Sequence, residues 1–275
     1  MQLSAISEVR KFGRYLSAGF KNMDISFCAT IYEGEQHDPI LDGDDWLERI
    51  DDLKREFDEK GIKIVSTHLP YRYDFTETEA EGYAEKYEMT RRAFIASERL
   101  GARWTVVHIR SVEGTVAHVK KLFADTQVKY CGIAIENIFN VPMENVVQAH
   151  DILKTEGYDV SVCFDFGHCH MTTHYTYEVV DTLYWLGGRI GMLHVHDNCR
   201  NGDHHRAPFT GTIDWNASMK ALKDIGYAGE FNYELNLRVI PGELVPSYVS
   251  CCKDIANHLI GIFETYTPEE KENVQ

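Results

Sequence analysis

Short apolar runs alternate with amphipathic helical segments along almost the whole chain, about eight times in 275 residues. Runs that are apolar throughout are typical of parallel strands, because helices cover both faces of a parallel sheet. Parallel neighbours also need a crossover between them, which the helical segments supply. The alternation therefore predicts an α/β fold with a parallel sheet. The predicted strands cover residues 3–6, 23–28, 62–66, 104–107, 132–135, 160–164, 191–195 and 230–233.

Apolar residues recur at helical spacing between these strands. In the segment that ends at Gly61, Trp46, Ile50, Leu53 and Phe57 lie on one helical face. Eight strand–helix units favour a closed (β/α)8 TIM barrel over an open doubly wound sheet, and no GxGxxG sequence follows a strand to indicate a nucleotide cofactor. We predict one barrel domain over residues 1–265 and a flexible acidic tail over 266–275. The other predicted helices cover residues 9–20, 79–100, 141–153, 175–186, 217–225 and 246–263.

The amino-acid composition limits where the protein is expected to act and what it is expected to bind. The formal net charge of −15 argues against nucleic acid or an anionic membrane as the main partner, because both repel an acidic surface. The seven cysteines form no CxxC pair, which favours reduced thiols over a disulfide framework. No apolar run reaches the ~18 residues of a membrane span, and the first residues do not resemble a secretion signal. We therefore expect a cytoplasmic protein.

Polar residues of the types that bind metals stand at the ends of six predicted strands. In a barrel the carboxyl ends of all strands meet at one mouth, where active sites lie. Nitrogen and oxygen ligands in this number suit a divalent ion such as Zn²⁺ or Mn²⁺. Any single histidine could instead only form hydrogen bonds, and Glu136 and Glu234 could be rim charges paired with Arg110 or Arg238. The strand-end residues are His68, His108, Glu136, Asp165, His194 and Glu234, with His168, Asp203 and His205 on adjoining loops.

The stretch from residue 191 to residue 215 is the densest part of this pattern. It reads GMLHVHDNCRNGDHHRAPFTGTIDW and contains four histidines and two aspartates within fourteen residues. We expect His196 and His204 to support the site or to face solvent rather than to bind an ion.

These motifs resemble the xylose isomerase-like TIM barrels, which include sugar isomerases, sugar epimerases and the endonuclease-IV-type abasic-site nucleases. The resemblance rests on Glu136-Asn137, the Asp165-Phe-Gly-His168 turn, His194-Val-His196-Asp197, Asp203-His-His205 and Gly211-Thr-Ile-Asp-Trp215. It implies that Glu136, Asp165, His194 and Glu234 form the four-ligand metal site of the ketose epimerases. It further implies that His68, His108, Asp203 and His205 match the additional ligands of the nucleases, in which His168 is also a ligand.

The resemblance implies a metal-dependent sugar isomerase or epimerase. Glu136 and Glu234 would act as the catalytic pair, one removing a proton and the other returning it, through a metal-stabilised enediolate. We expect His68, His108, His168 and Arg206 to bind the substrate, a small sugar or polyol. Mn²⁺ or Zn²⁺ is the expected ion, with Mg²⁺ or Co²⁺ as further choices. Relatives of this type often pair, so a homo-oligomer is expected.

Three other functions stay open at this point. A two- or three-metal cluster with the same residues could hydrolyse the phosphodiester of abasic DNA, although the acidic loop after the second strand would repel phosphate. A metal-dependent lyase or C-glycoside-cleaving enzyme would reuse the same proton abstraction. A non-catalytic sugar-binding barrel would have no need of both Glu136 and Glu234.

The sequence carries little sign of a phosphate site. No glycine-rich phosphate cradle precedes the last helix, which favours an unphosphorylated substrate, although Arg206 and Arg238 could bind phosphate. In place of the Pro-Gly pair common in relatives, this chain has Pro208-Phe209-Thr210-Gly211, a bulkier loop.

Overall fold

The computed structural model describes residues 1–28, 37–70, 82–171 and 177–268. Eight parallel strands form the centre, and helices separate most of them, as the alternating sequence predicts. The strands are β1 (Leu3–Glu8), β2 (Asn22–Ser26), β3 (Lys63–His68), β4 (Trp104–His108), β5 (Gly132–Glu136), β6 (Val160–Asp165), β7 (Ile190–His194) and β8 (Phe231–Tyr233). The helices are α1 (Gly13–Leu16), α2 (Trp46–Glu59), α3 (Tyr83–Leu100), α4 (Val112–Thr126), α5 (Met143–Thr155), α6 (Phe166–His170), α7 (Val179–Leu186), α8 (Trp215–Asp224) and α9 (Val245–Thr265).

The strands are arranged as a nearly closed barrel. Their order around the sheet is β7-β6-β5-β4-β3-β2-β1-β8, with every ladder pairing parallel. A parallel bridge between Val195 and Tyr233 brings the two outermost strands together. The Val195 N–H donates to the Asn232 carbonyl at 2.8 Å, and the Glu234 N–H donates to the Val195 carbonyl at 3.1 Å. The barrel prediction is confirmed.

Apolar stripes hold the helices against the barrel. The predicted stripe of α2 is buried, with Ile50 and Phe57 fully inaccessible to solvent. Burial of each such side chain stabilises the fold by about 1.5–3 kcal/mol, before the entropy of ordering is subtracted. None of the helices in the described ranges is long and apolar enough to cross a membrane.

The first predicted helix, residues 9–20, is mostly wrong. After β1 the chain turns, and only α1 is helical before Gly19, which has a φ of 80°. Val9, Phe12, Tyr15 and Phe20 are all buried. Their spacing imitates a helical face because a sequence of tight turns can bury the same residues.

Two other predicted segments lie partly outside the described residues. The helix predicted from residue 79 begins at residue 83 in the structure, and residues 79–81 are not described. The helix predicted from residue 175 begins at residue 179, and residues 175 and 176 are not described. Of the predicted tail, residues 266–268 are not helical, and residues 269–275 lie outside the described ranges.

Candidate metal centre and active site

The barrel places the predicted ligands at one rim. His68, His108, Glu136, Asp165 and His194 are the last residues of β3 to β7, and Glu234 follows β8 directly. Strand register sets neighbours side by side, because His108 pairs with Glu136 and Asp165 pairs with His194. Glu136, Asp165 and His194 are almost fully buried. Buried groups of this polarity need a partner or an ion to offset the loss of water.

The central group consists of Glu136, Asp165, His194 and Glu234. Each offers a ligand atom, and these atoms all lie within 4.8 Å of one another. The Nδ1 atom of His194 is 3.1 Å from Glu136 Oε1 and 3.1 Å from Glu234 Oε2. Glu234 Oε2 is buried and has no hydrogen-bond donor in the described part of the chain. Three carboxylates and one imidazole form a donor set that fits Mn²⁺ or Zn²⁺.

A second group shares Glu136 with the first and adds His68 and His108. The Nε2 atoms of the two histidines lie 3.2 Å and 3.1 Å from Glu136 Oε2. His68 Nδ1 lies 2.7 Å from the Leu69 carbonyl, so that nitrogen carries the ring proton in the neutral side chain. In that tautomer the lone pair of Nε2 lies on the side of Glu136, where it can bind an ion.

The third group contains His168, His196, Asp203 and His205. Asp203 Oδ2 lies 3.5 Å from His168 Nε2 and 3.1 Å from His205 Nε2. His196 is fully buried, stacks on His205 with ring centroids 3.9 Å apart, and reaches Asp165 Oδ2 with its Nε2 at 3.0 Å. His196 thus contacts a residue of the first group and belongs to the third, and its expected supporting role stays a prediction.

Histidines and carboxylates shift one another's pKa at this rim. Burial alone would raise the pKa of Glu136 and Glu234, but the charge of His194 and of other histidines holds both well below their usual value. Burial would likewise lower the pKa of His194, whereas Cys163, Glu234 and Glu136 raise it well above its usual value. Against burial, Glu234 and Asp203 raise the pKa of His205 to about 9. Both glutamates are thus anionic at neutral pH, as metal ligands and general bases must be.

Asp197 holds the loop that carries Asp203 and His205. Its buried carboxylate accepts hydrogen bonds from the Gly211 N–H at 3.0 Å and from Trp215 Nε1 at 2.9 Å, and also from the backbone of residues 198 and 213. A Cβ at Gly211 would lie 2.2 Å from Asp197 Oδ1, so the loop requires glycine there. These contacts explain why the motifs around residues 194–197 and 211–215 occur together.

A cavity of about 540 Å³ opens above the ligand groups. His68, His108, Glu136, His168, Asp203, His205 and Glu234 line one side of it. The segments that follow β1 and β8 add Lys11, Arg14 and Arg238 to the lining, with Glu8 between Lys11 and Arg238. The cavity lining therefore combines metal-ligating residues with basic side chains.

The family model for the xylose isomerase-like TIM barrel matches residues 17–247. The chain belongs to this family. The uncharacterized protein y4fM of Sinorhizobium fredii (strain NBRC 101917 / NGR234) is 28% identical over 163 residues, which are 54% of this chain. Those residues are 51% of that protein, so the match spans about half of its length.

Solved structures share the fold over nearly the whole chain. A D-tagatose 3-epimerase-like protein has a TM-score of 0.74 at 17% identity and covers 96% of this chain and 98% of its own. D-psicose 3-epimerase in the presence of D-fructose has a TM-score of 0.71 at 14% identity, with 95% and 100% covered. The IOLI protein with a bound zinc atom has a TM-score of 0.68 at 19% identity, with 97% and 99% covered. Identities this low show the common fold.

One predicted substrate-binding residue, Arg206, does not line the cavity. Arg206 is exposed, donates to the Cys199 sulfur at 3.8 Å, and is absent from the cavity lining. Its role in substrate binding stays a prediction. Arg238, the other arginine that could bind phosphate, lines the cavity.

Sequence reasoning missed Asp24, a carboxylate inside the barrel. It lies on β2, is fully buried, and accepts hydrogen bonds from Ser66 Oγ at 2.8 Å and Asn232 Nδ2 at 3.1 Å. Its Oδ2 is also 3.7 Å from Nε2 of His194, a nitrogen with no hydrogen-bond partner in the described residues. The signal for it was an aspartate between the core residues Met23 and Ile25 of a predicted barrel strand.

Proposed function

We propose that this protein is a metal-dependent isomerase or epimerase of a sugar. The observation that carries the proposal is the convergence of Glu136, Asp165, His194 and Glu234 on one position beside the cavity. The structural neighbours support it, because they include a D-tagatose 3-epimerase-like protein and D-psicose 3-epimerase.

Two carboxylates at one site suit proton transfer between neighbouring carbons of a sugar. A divalent ion bound at the central group supplies Lewis-acid polarisation of adjacent sugar oxygens. Glu136 and Glu234 both line the cavity and are anionic, so either can remove a proton from the carbon that lies between them. The other returns a proton to that carbon or to its neighbour.

The remaining rim histidines bind the substrate or a further ion. His68, His108 and His168 line the cavity, where their ring nitrogens can donate to or accept from sugar hydroxyls. Mn²⁺ or Zn²⁺ is the ion that we propose, and the IOLI protein with its bound zinc supports a metal in this fold.

Deuterium exchange tests the proposal directly. Protein loaded with Mn²⁺ or Zn²⁺ is incubated with a panel of ketoses in D₂O, and carbon-bound deuterium is measured by NMR. We expect Glu136→Gln and Glu234→Gln to slow exchange about 10²- to 10⁴-fold, the usual contribution of a general acid–base group. Metal content is measured in each variant, because both residues are also ligands.

Glu144→Gln is the matched control. Glu144 lies on α5, where it accepts a hydrogen bond from Tyr177 and is not part of the cavity lining. Exchange at the wild-type rate is expected for this variant. Absence of exchange with every ketose in metal-loaded wild-type protein would overturn the proposal.

Hydrolysis of a phosphodiester is the second candidate, and one observation favours it. The groups around His68 and around His168 can hold two ions in addition to the central one, and clusters of ions catalyse phosphodiester cleavage. The net charge of −15 opposes a polyanionic substrate. Cleavage of duplex DNA with an abasic site, without deuterium exchange into any ketose, would establish this candidate in place of the first.

A further inference from the structure

We propose that the loops after β1 and β8 form a subsite for a phosphate group, so that the substrate is a phosphorylated sugar. This inference rests on the proposed function, since it assigns the substrate class of the same cavity. It replaces the expectation of an unphosphorylated substrate, which rested on the absence of a glycine-rich cradle. Here cationic side chains take the place of backbone N–H groups.

The subsite is defined by Lys11, Arg14, Arg238 and Glu8, all of which line the cavity. Arg238 donates from Nη2 to Glu8 Oε1 at 2.8 Å, and Lys11 forms an ion pair with the same carboxylate. Because β1 pairs with β8, the segments that follow these strands and carry the side chains are neighbours. Glu8 therefore fixes two cations from different loops on one wall.

Glu8 does not neutralise this wall. Burial alone would raise the pKa of Glu8, but Lys11 and Arg238 lower it, so Glu8 is ionised and contributes one negative charge. Arg14 has no ion-pair partner in the described ranges, and three cations with one carboxylate leave a net charge of about +2. A phosphate monoester carries about −1.5 to −2 at neutral pH, whereas a sugar carboxylate carries only one charge. The charge balance favours phosphate.

The arrangement also explains how an acidic protein can attract an anion. The chain carries a net charge of −15, and its ligand groups are rich in carboxylates. The cations of Lys11, Arg14 and Arg238 in the cavity lining attract the anionic end of a substrate, although the ligand groups beside them are acidic. The reactive carbons of a phosphorylated sugar are then left beside the two glutamates.

Inorganic phosphate is the first probe. It is titrated by calorimetry into protein that has been treated with a chelator, so that a bound ion cannot hold the phosphate. We expect Arg238→Gln and Arg14→Gln each to weaken binding 10- to 100-fold, as loss of a charge-assisted hydrogen bond does. Arg103→Gln is the matched control, because Arg103 forms a similar pair with Asp159 at 2.8 Å just before β4, at the opposite end of the barrel. Binding that survives both cavity variants unchanged would overturn the inference.

Ketose 5- and 6-phosphates, the free ketoses and keto-uronates are the second set of probes, used with metal-loaded protein. We expect the phosphorylated ketoses to have the highest kcat/KM, and we expect Arg238→Gln to lower the preference for phosphorylated over free ketose 10- to 100-fold. Exchange with free ketoses alone, or a preference for uronates, would overturn the phosphate subsite and leave the isomerase proposal intact. Phosphate binding that needs Arg238, with no exchange in any sugar, would support the subsite and overturn the isomerase proposal.

Discussion

Replacement of Asp24 by asparagine tests how the barrel interior orients a metal ligand. Asp24 Oδ2 lies 3.7 Å from Nε2 of His194, on the side of the ring opposite to Glu136 and Glu234. A carboxylate behind an imidazole keeps the proton on the nitrogen that faces it and leaves the other nitrogen free to bind an ion. Asp24→Asn retains the shape of the side chain and removes its charge. His194 then loses the negative charge behind its ring and with it part of its basicity.

The size of the effect follows from the contacts that remain. Ser66 and Asn232 still hold position 24, so the loss is confined to the interaction with His194. Replacing such an outer partner costs 10- to 100-fold in metal affinity, or about 1.4–2.8 kcal/mol. The assay is competition between the protein and a coloured chelator for Zn²⁺ or Mn²⁺. Nitrogen-15 NMR of the metal-free protein reports the protonation of His194 independently of activity.

Ser66→Ala is the control for Asp24→Asn. It removes the 2.8 Å hydrogen bond to the same carboxylate but leaves the charge, and we expect a change in metal affinity below about threefold. Thermal unfolding of the metal-free proteins separates orientation from folding, and the midpoints of Asp24→Asn and wild type should differ by less than about 5 °C. Wild-type metal affinity in Asp24→Asn, or an equal loss in Ser66→Ala, would refute the reasoning.

Three further predictions concern residues around the barrel. Burial, with Lys121 nearby, lowers the pKa of His118 to about 3 from an ordinary 6.5. The unfolded chain therefore takes up a proton first, and His118 lowers the free energy of unfolding by about 1.6 kcal/mol between pH 6.5 and pH 5. His118→Gln should show a smaller loss than wild type in urea unfolding at those two pH values. Asp197→Asn should destabilise the protein by about 3 kcal/mol, because buried donors lose their acceptor. Asp214→Ala in the same loop should cost about 1 kcal/mol, because it removes a helix cap. Urea unfolding measures both variants, and equal losses would contradict this prediction. Gly167→Ala should lower metal affinity about 10-fold, because the new Cβ would lie 1.9 Å from Cε1 of His196 and displace that ring from Asp165; unchanged metal content after dialysis would show otherwise.

Strand ends could be predicted from the sequence because burial and polarity change abruptly there. The apolar runs before His108, Glu136 and Asp165 end within a residue of the strands in the structure. A barrel then needs no further information to bring those ends together, since strand tilt and order are fixed by the fold. The ligand groups follow from the fold and from the chemical types of the residues.

Contacts between residues far apart in the sequence could not be predicted in this way. Asp24 meets His194 and Asn232 only after the barrel forms, and nothing in its local sequence names those partners. The prediction of a helix over residues 9–20 was mostly wrong for a related reason. Turns that bury Phe12 and Phe20 produce the same apolar spacing as a helix. Arg206 lies next to the ligand loop in sequence, but its backbone pairs with Asp197 and its side chain is directed to Cys199.

The junction between β7 and β8 has a consequence for how an ion and the barrel depend on each other. One bridge at Val195 and Tyr233 joins these strands, whereas their other neighbours are joined by longer ladders. His194 ends β7 and Glu234 follows β8, so any cation bound by both residues would link these two strands. Loss of the cation should then speed amide hydrogen exchange at Val195 and Glu234 before it affects the opposite half of the barrel.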